Sequence, residues 1–298
     1  MAKSEIDRIR RMAMAHNDPL AQFNLGFMFD NGFGAPQDDR EAVKWYHKSA
    51  EQGYSMAQFK LGGMYEKGQG APQNYKEAAK WYRKAAEQGL PDAQNNLGLM
   101  YKNGLTGPRD FKEAAKWYRL AAEQGYSVAQ SNLGFMYDNG LGVAQNHIEA
   151  LKWYRLAAEQ GYSVAQFNLG VMYENGQGTR QDFNEALKWY GKAAEQGLPD
   201  AQNNLGLMYK NGQGTRQDFN EALKWYGKAA EQGLPDAQNN LGLMYENGLG
   251  TPQDSDEALK WYRLAAEQGY SVAQFNLGVM YENGQGTRQD FNEALKWY

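Results

Sequence analysis

The chain has three histidines, His16, His47 and His147, and no cysteine, so it offers no thiolate nucleophile, no disulfide and no cysteine-ligated metal site. The histidines occupy three different places in the pattern of the chain and lack metal-ligand spacing, which leaves them as solvated surface side chains. Glu185 and Lys188 stand three apart, and the pair recurs along the chain. Such pairs decorate an exposed helix face and contribute a few tenths of a kcal/mol. Acid–base catalysis by paired groups requires one site that differs from its copies, and none does. A Gly-x-Gly also recurs, as at Gly176 and Gly178, but it follows one helix pattern, precedes a second and carries no P-loop lysine. Its glycines therefore read as turn residues. Arg8, Arg10 and Arg11 form a short basic run that reads as the outer face of a helix. The repeating pattern pairs no serine with a lysine or histidine base, so neither enzyme activity nor a metal or cofactor is expected.

The elements that would have to position such groups all follow one period. The tryptophans stand at 45, 81, 117, 153, 189, 225, 261 and 297, each 36 residues from the next. A fixed period of this size marks a stacked-repeat array. Each repeat carries two helix patterns and no strand pattern, which predicts an all-α fold of paired antiparallel helices stacked into a right-handed superhelical solenoid. With 42% hydrophobic and 13% aromatic residues, the chain has ample material for a core. The net charge of −4 is spread over repeating Lys and Glu, so nucleic acid and acidic membranes are not expected partners. No segment approaches the ~18 apolar residues of a membrane span. The start, MAKSEIDRIRRMAMAHNDPL, lacks the apolar run of a signal peptide, and with no cysteine a cytoplasmic address fits best.

The repeats read 19–54, 55–90, 91–126, 127–162, 163–198, 199–234, 235–270 and 271–298, the last holding 28 of 36 positions. Each first helix opens at Pro or at Ser, and Ser127 with Gln130 has the spacing of a capping box. It ends at a pair such as Asn175-Gly176, where glycine can take the left-handed conformation. The second helix starts at Asp182, a cap residue, and runs through Trp189-Tyr190 and Ala193-Ala194 to Gly197. At 100° per residue Ala165, Leu169 and Met172 share one face, and Ala186, Tyr190 and Ala193 form the matching stripe with Trp189 on its flank. Gly170, inside the first helix, marks a tight helix crossing. Residues 1–18 read as a degenerate second helix that caps the array, with Ile6, Ile9 and Ala13 in register with Ala186, Trp189 and Ala193. At the other end Tyr298 stops halfway through a helix. That suggests either a truncation or an array continuing in a parent protein, and an open face capable of end-to-end self-association. Residues 163–190 and 271–298 are identical, a mark of recent duplication or consensus design.

The pattern A-x-x-x-L-G-x-M-Y-x-x-G-x-G…A-x-x-W-Y-x-x-A-A-x-x-G carries a resemblance. It is seen at Ala201, Leu205-Gly206, Met208-Tyr209, Gly212, Gly214, Ala222, Trp225-Tyr226, Ala229-Ala230 and Gly233. It resembles the Sel1-like repeat family, related to tetratricopeptide repeats, over residues 19–298. The resemblance implies a non-enzymatic α-solenoid scaffold or adaptor for protein–protein interaction, with a protein or peptide bound on the concave face. A cysteine-rich branch of the family is linked with β-lactam binding or hydrolysis, but this chain has none of its cysteines. A consensus array without a natural partner is the third alternative. Two departures from the pattern stand out: the second glycine of repeat three is displaced to Gly107, and Asn74 and Asn146 replace the usual cap Asp.

Opposite the core stripe of each first helix, three positions vary between repeats. They read Phe23, Phe27, Asp30; Phe59, Gly63, Glu66; Asn95, Leu99, Lys102; and Ser131, Phe135, Asp138. They continue as Phe167, Val171, Glu174; Asn203, Leu207, Lys210; Asn239, Leu243, Glu246; and Phe275, Val279, Glu282. In the resembled superhelix the first helices line the concave side, so these residues are either the partner-binding stripe or packing against the next repeat. A second variation sits on the other helix, where Leu120, Leu156 and Leu264 alternate with Lys48, Lys84, Lys192 and Lys228.

Overall fold

The structure, a computed structural model, describes residues 2–298, with side chains from Arg8 onward. Among the described residues there are seventeen helices and no strand. This is the paired-helix α-solenoid class that the period predicts. The helices group into two compact units, Met1–Trp153 and Tyr154–Tyr298. The division falls inside the second helix of repeat four, His147–Glu159.

Repeat five shows how the local sequence sets the turns. Its first helix, Ser163–Asn175, ends because Gly176 takes φ 66° and sends its N–H to the Met172 carbonyl. The loop is pinned back to that helix by Asp182 N–H on the Tyr173 carbonyl at 2.9 Å. Asp182 then caps the second helix, Phe183–Glu195, its Oδ1 accepting from the Asn184 and Glu185 amides at 3.0 and 3.1 Å. Asn74 and Asn146 accept from the same two amides, so their substitution for Asp changes nothing in the cap. Repeat three does differ. Elsewhere the second glycine of the loop lies against the start of the preceding second helix, so that a Cβ on Gly214 would fall 2.2 Å from the Phe183 carbonyl oxygen. Gly107 has φ 158° and nothing within 4 Å of a Cβ, and the contact is not made.

The capping box at Ser127 is corrected. Tyr126 holds the cap position, its side chain makes no capping bond, and Ser127 is already the first helical residue. Gln130 turns inward, donating through Nε2 to the Ala122 carbonyl at 3.2 Å. The same bond recurs from Gln58 to Ala50, Gln202 to Ala194 and Gln238 to Ala230. Gln58, Gln202 and Gln238 also accept from the glutamine that ends the second helix of their own repeat, as Gln202 does from Gln232 at 2.8 Å. A buried amide thus joins three successive helices, with its donor and acceptor both satisfied.

The predicted core stripes are buried: Ala165, Leu169 and Met172 are at most 1% exposed, as are Ala186, Tyr190 and Ala193. The core is divided into junctions. A representative one combines Ala222, Tyr226 and Ala229 of repeat six with Ala237, Leu241 and Met244 of repeat seven, closed by Trp261. Trp81, Trp117, Trp153, Trp261 and Trp297 thus seal their repeats onto the one before. The N-terminal helix, Ala2–Ala15, occupies the corresponding place before repeat one, with Ala13 buried and Ile9 packed beside Ala21, Leu25 and Trp45. The Ile6 side chain lies outside the described residues.

Within a repeat the two helices meet at glycine and tyrosine. A Cβ on Gly170 would sit 2.6 Å from the Tyr190 ring, and on Gly206 2.9 Å from Tyr226. Gly170→Ala is therefore expected to lower stability by roughly 1–3 kcal/mol through overpacking. Gly191 is the opposite case, with nothing within 4 Å of an added Cβ. Gly191→Ala is expected to raise stability by about 0.5–1 kcal/mol through helix propensity. Urea unfolding of the two variants beside the parent chain, read as shifts of the midpoint at constant slope, checks both signs.

Candidate interaction surface

The three stripe positions of the first helices have three different environments. At the first, aromatic members lie on the tyrosine of their own repeat. Phe23 stands 5.6 Å from Tyr46, Phe59 5.7 Å from Tyr82 and Phe167 5.7 Å from Tyr190, ring centroid to centroid. Asparagine members bond across to the next repeat: Asn95 accepts from Asn132 at 2.9 Å, Asn203 from Asn240 at 3.0 Å and Asn239 from Asn276 at 3.0 Å. Asn95 and Asn239 are buried, as is Ser131. The outward placement of this position is corrected: a helix in a stacked array is flanked by the next repeat as well as by its partner helix, which closes the side that a lone helix would leave to water.

The middle position does face outward. Phe27 is 37% and Phe135 40% exposed, while Leu99, Val171, Leu207 and Leu243 are half-buried. Where repeat two has Gly63 here, the missing side chain leaves a cavity of about 440 Å³. Phe59, Lys60, Glu66, Tyr82 and Asn96 line it, with Asp30 and Lys67 at its edge. Lys60, Asn96 and Tyr82 lie outside the stripe. The only trace of this site in the sequence is a glycine where its copies carry Leu, Val or Phe.

The third position holds the acceptors of a buried hydroxyl. Tyr46 donates to Asp30 at 3.1 Å, and Tyr82, Tyr190 and Tyr262 donate to Glu66, Glu174 and Glu246 at 2.6 Å. Asp138 Oδ1 accepts from His147 Nδ1 at 2.8 Å, so this histidine is tied to the stripe while His47 lies edge-on to Trp81. Lys102 and Lys210 stand where an acceptor is needed, and the Tyr118 and Tyr226 hydroxyls are buried without a partner. Burial drives all these tyrosines well above their ordinary pKa of 10.0. Where a carboxylate is the acceptor, its charge and hydrogen bond raise them further.

The second helices vary for a different reason. Lys48, Lys84, Lys192 and Lys228 each place an ammonium 4.4–4.5 Å from the centroid of their own repeat's tryptophan ring. At the position immediately before, Arg119 and Arg263 donate to Tyr137 and Tyr281 at 2.5 Å. Gly191 stands at the arginine position in repeat five, leaving a groove of about 630 Å³ beside Tyr209, Lys188 and Glu221. The Glu–Lys pairs are exposed ion pairs, as in Glu185–Lys188 at 2.8 Å. No helix among the described residues is long and apolar enough to cross a membrane.

The Sel1 repeat is matched eight times in succession, at 19–54, 55–90, 91–126, 127–162, 163–198, 199–234, 235–270 and 271–298. These are the boundaries read from the period. A protective antigen of uropathogenic Escherichia coli displaying an SLR fold is 38% identical, with a TM-score of 0.90 over 98% of this chain. The match covers 63% of the antigen, so this chain spans less than two thirds of its length. A Sel1 repeat protein from Oxalobacter formigenes is 40% identical, covering 93% of this chain and 80% of that one with a TM-score of 0.78. No curated protein matches the chain.

Glu174→Lys recreates in repeat five the arrangement of repeats three and six and strands the Tyr190 hydroxyl. It is expected to cost about 1–3 kcal/mol in thermal or urea unfolding. The raised tyrosines also set a pH dependence. The unfolded chain releases their protons near pH 10.0 while the fold retains them, so their stabilisation is complete below that pH and is lost as pH rises beyond it. Alkaline titration at 295 nm should show the buried tyrosinates appearing together with the loss of helical circular dichroism. Early ionisation in a fully helical chain would contradict this.

Proposed function

The chain belongs to the Sel1 repeat family, whose members typically serve as protein-interaction scaffolds, and we propose that it holds a peptide or protein segment on its first-helix face. The observation that carries this reading is the cavity at Gly63. It offers an aromatic floor in Phe59 and Tyr82, and a charged edge in Asp30, Lys60 and Lys67. An apolar side chain of an incoming segment fits the floor, and polar neighbours along the same segment fit the edge. Phe27 and Phe135 extend the same face as exposed aromatics, each with a lysine over its ring, Lys60 at 5.9 Å and Lys102 at 5.3 Å. Side chains that present apolar area at low entropic cost are the usual anchors of such contacts.

The first position of the stripe is assigned to packing and the third mainly to the tyrosine bond. The middle position therefore carries the contact: Phe27, Leu99 and Phe135 in the first unit, and Val171, Leu207 and Leu243 in the second. Phe27 and Phe135 are exposed and substitution there spares the helix junctions, whereas Leu207 and Leu243 also pack against a junction core, so the surface can change most freely at the aromatic members. The exposed leucines of the second helices, Leu120, Leu156 and Leu264, are single residues at the position where lysine elsewhere covers a tryptophan.

Gly63→Leu installs the side chain that repeats three, six and seven carry at this position. The variant is expected to fold and to be slightly more stable, since Gly within a helix costs about 1 kcal/mol. Binding of peptides selected from a random library is expected to weaken roughly tenfold or more by fluorescence polarisation, and unchanged affinity overturns the assignment of the cavity. Phe135→Ser should likewise weaken binding while shifting stability by no more than about 0.5 kcal/mol. Phe167→Ser, which removes packing on Tyr190, should instead lower stability by about 2–4 kcal/mol.

A further inference from the structure

Repeats three and six have the same first helix, Pro91–Asn103 and Pro199–Asn211, both reading PDAQNNLGLMYKN. The first helix of repeat seven, Pro235–Asn247, differs by one residue and reads PDAQNNLGLMYEN. That residue decides the state of a buried hydroxyl. With Glu246 present, Tyr262 donates at 2.6 Å. With Lys102 and Lys210 in its place, the hydroxyls of Tyr118 and Tyr226 have no partner, although both residues are 0% exposed. The neighbouring amides do not compensate, because Asn132 and Asn240 donate to Asn95 and Asn203 instead. A buried unpaired hydroxyl is destabilising and uncommon in folded proteins. Here it occurs twice, while an otherwise identical helix satisfies it.

We propose that Lys102 with Tyr118, and Lys210 with Tyr226, form two sites, one in each unit, for a carboxylate side chain of an acidic peptide segment. The chain itself displays the chemistry that fits. In repeats two, five and seven the equivalent hydroxyl donates to a carboxylate oxygen at 2.6 Å. A carboxylate arriving from a partner takes the place of the missing glutamate, accepts from the tyrosine and faces the lysine ammonium. That pairing is charge-assisted and stronger than a bond between neutral groups. The lysine stem has four rotatable carbons, so its head can move aside for the incoming group and close on it. A partner bearing lysine or arginine at the same point meets like charge and finds no acceptor left open.

This inference rests on the first-helix face being the partner surface, and it narrows the partner to one that presents Asp or Glu. The intact chain is used to select phage-displayed random peptides. The peptides recovered are measured by fluorescence polarisation against the parent chain, the double variant Lys102→Glu/Lys210→Glu and the double variant Tyr118→Phe/Tyr226→Phe. The glutamate variant recreates the first helix of repeat seven, so it retains the fold, and it is expected to melt at a higher temperature. The expected result is enrichment of Asp and Glu in the selected peptides, with affinity falling roughly tenfold or more in the glutamate variant and about fivefold or more in the phenylalanine variant. Peptides without acidic enrichment, binding equally to all three chains, overturn the carboxylate sites and leave the scaffold reading standing. Selected peptides that bind the Gly63→Leu chain and all three chains alike overturn both.

Discussion

The close approach of a glycine in each first helix to a tyrosine in its partner is the contact on which the rest of the repeat depends. With only 2.6–2.9 Å between a notional Cβ and the ring, no other residue fits at Gly62, Gly98, Gly170, Gly206 or Gly242 without moving a helix. Glycine inside a helix is unfavourable by about 1 kcal/mol relative to alanine. The deficit is offset because the ring can then lie flat in the crossing and bury its whole face. The alanines on either side, such as Ala165 and Ala186, keep the backbones near enough for that ring to fill the space between them.

The tyrosine carries a polar tip, and this links the core of each repeat to its surface. Its ring is fixed by the glycine, so its hydroxyl emerges at one place, beside the third stripe position of the first helix. An acid there completes the hydrogen bond, and five of the described tyrosines, at 46, 82, 190, 262 and 298, have one. A residue that looks like variable surface charge is thereby coupled to the interior. Lys102 and Lys210 are unusual for what they fail to provide. Interior geometry is held constant while surface chemistry changes, which is the separation an adaptor needs if its copies are to contact different parts of a partner.

Between repeats a second polar device repeats with the same regularity. A buried glutamine of the first helix, such as Gln202, reaches back to the preceding helix and is held from the front by the glutamine that ends the next one. Polar groups buried this way contribute register more than affinity: a slip of one residue would leave an amide and a carbonyl unpaired in a dry interior. Trp81, Trp117, Trp153, Trp261 and Trp297 add the apolar part of such junctions, closing clusters drawn from two repeats. Stability is accordingly distributed over many similar interfaces, as in a one-dimensional array.

How much of this was legible from the sequence depends on distance along the chain. The tryptophan period, the glycine turns, the Asp and Asn caps and the Ala-Leu-Met and Ala-Tyr-Ala stripes act over a few residues, and periodicity alone determined repeat boundaries, helix pairing and core. Gly170 as a tight crossing was equally legible, since glycine inside a helix is unfavourable unless a close neighbour leaves no room for a Cβ. The stripe was not resolved into its three environments, because a helical wheel treats each helix as if alone in water. Only tertiary packing decided that Asn95 and Asn239 are interior, that Phe167 covers Tyr190 and that Glu174 serves a hydroxyl sixteen residues away. The inward turn of Gln130, read locally as a capping box, has the same origin. In each case the partner is set by which helices are neighbours in space, within one repeat for Phe167 and Glu174 and between successive repeats for the asparagines and Gln130.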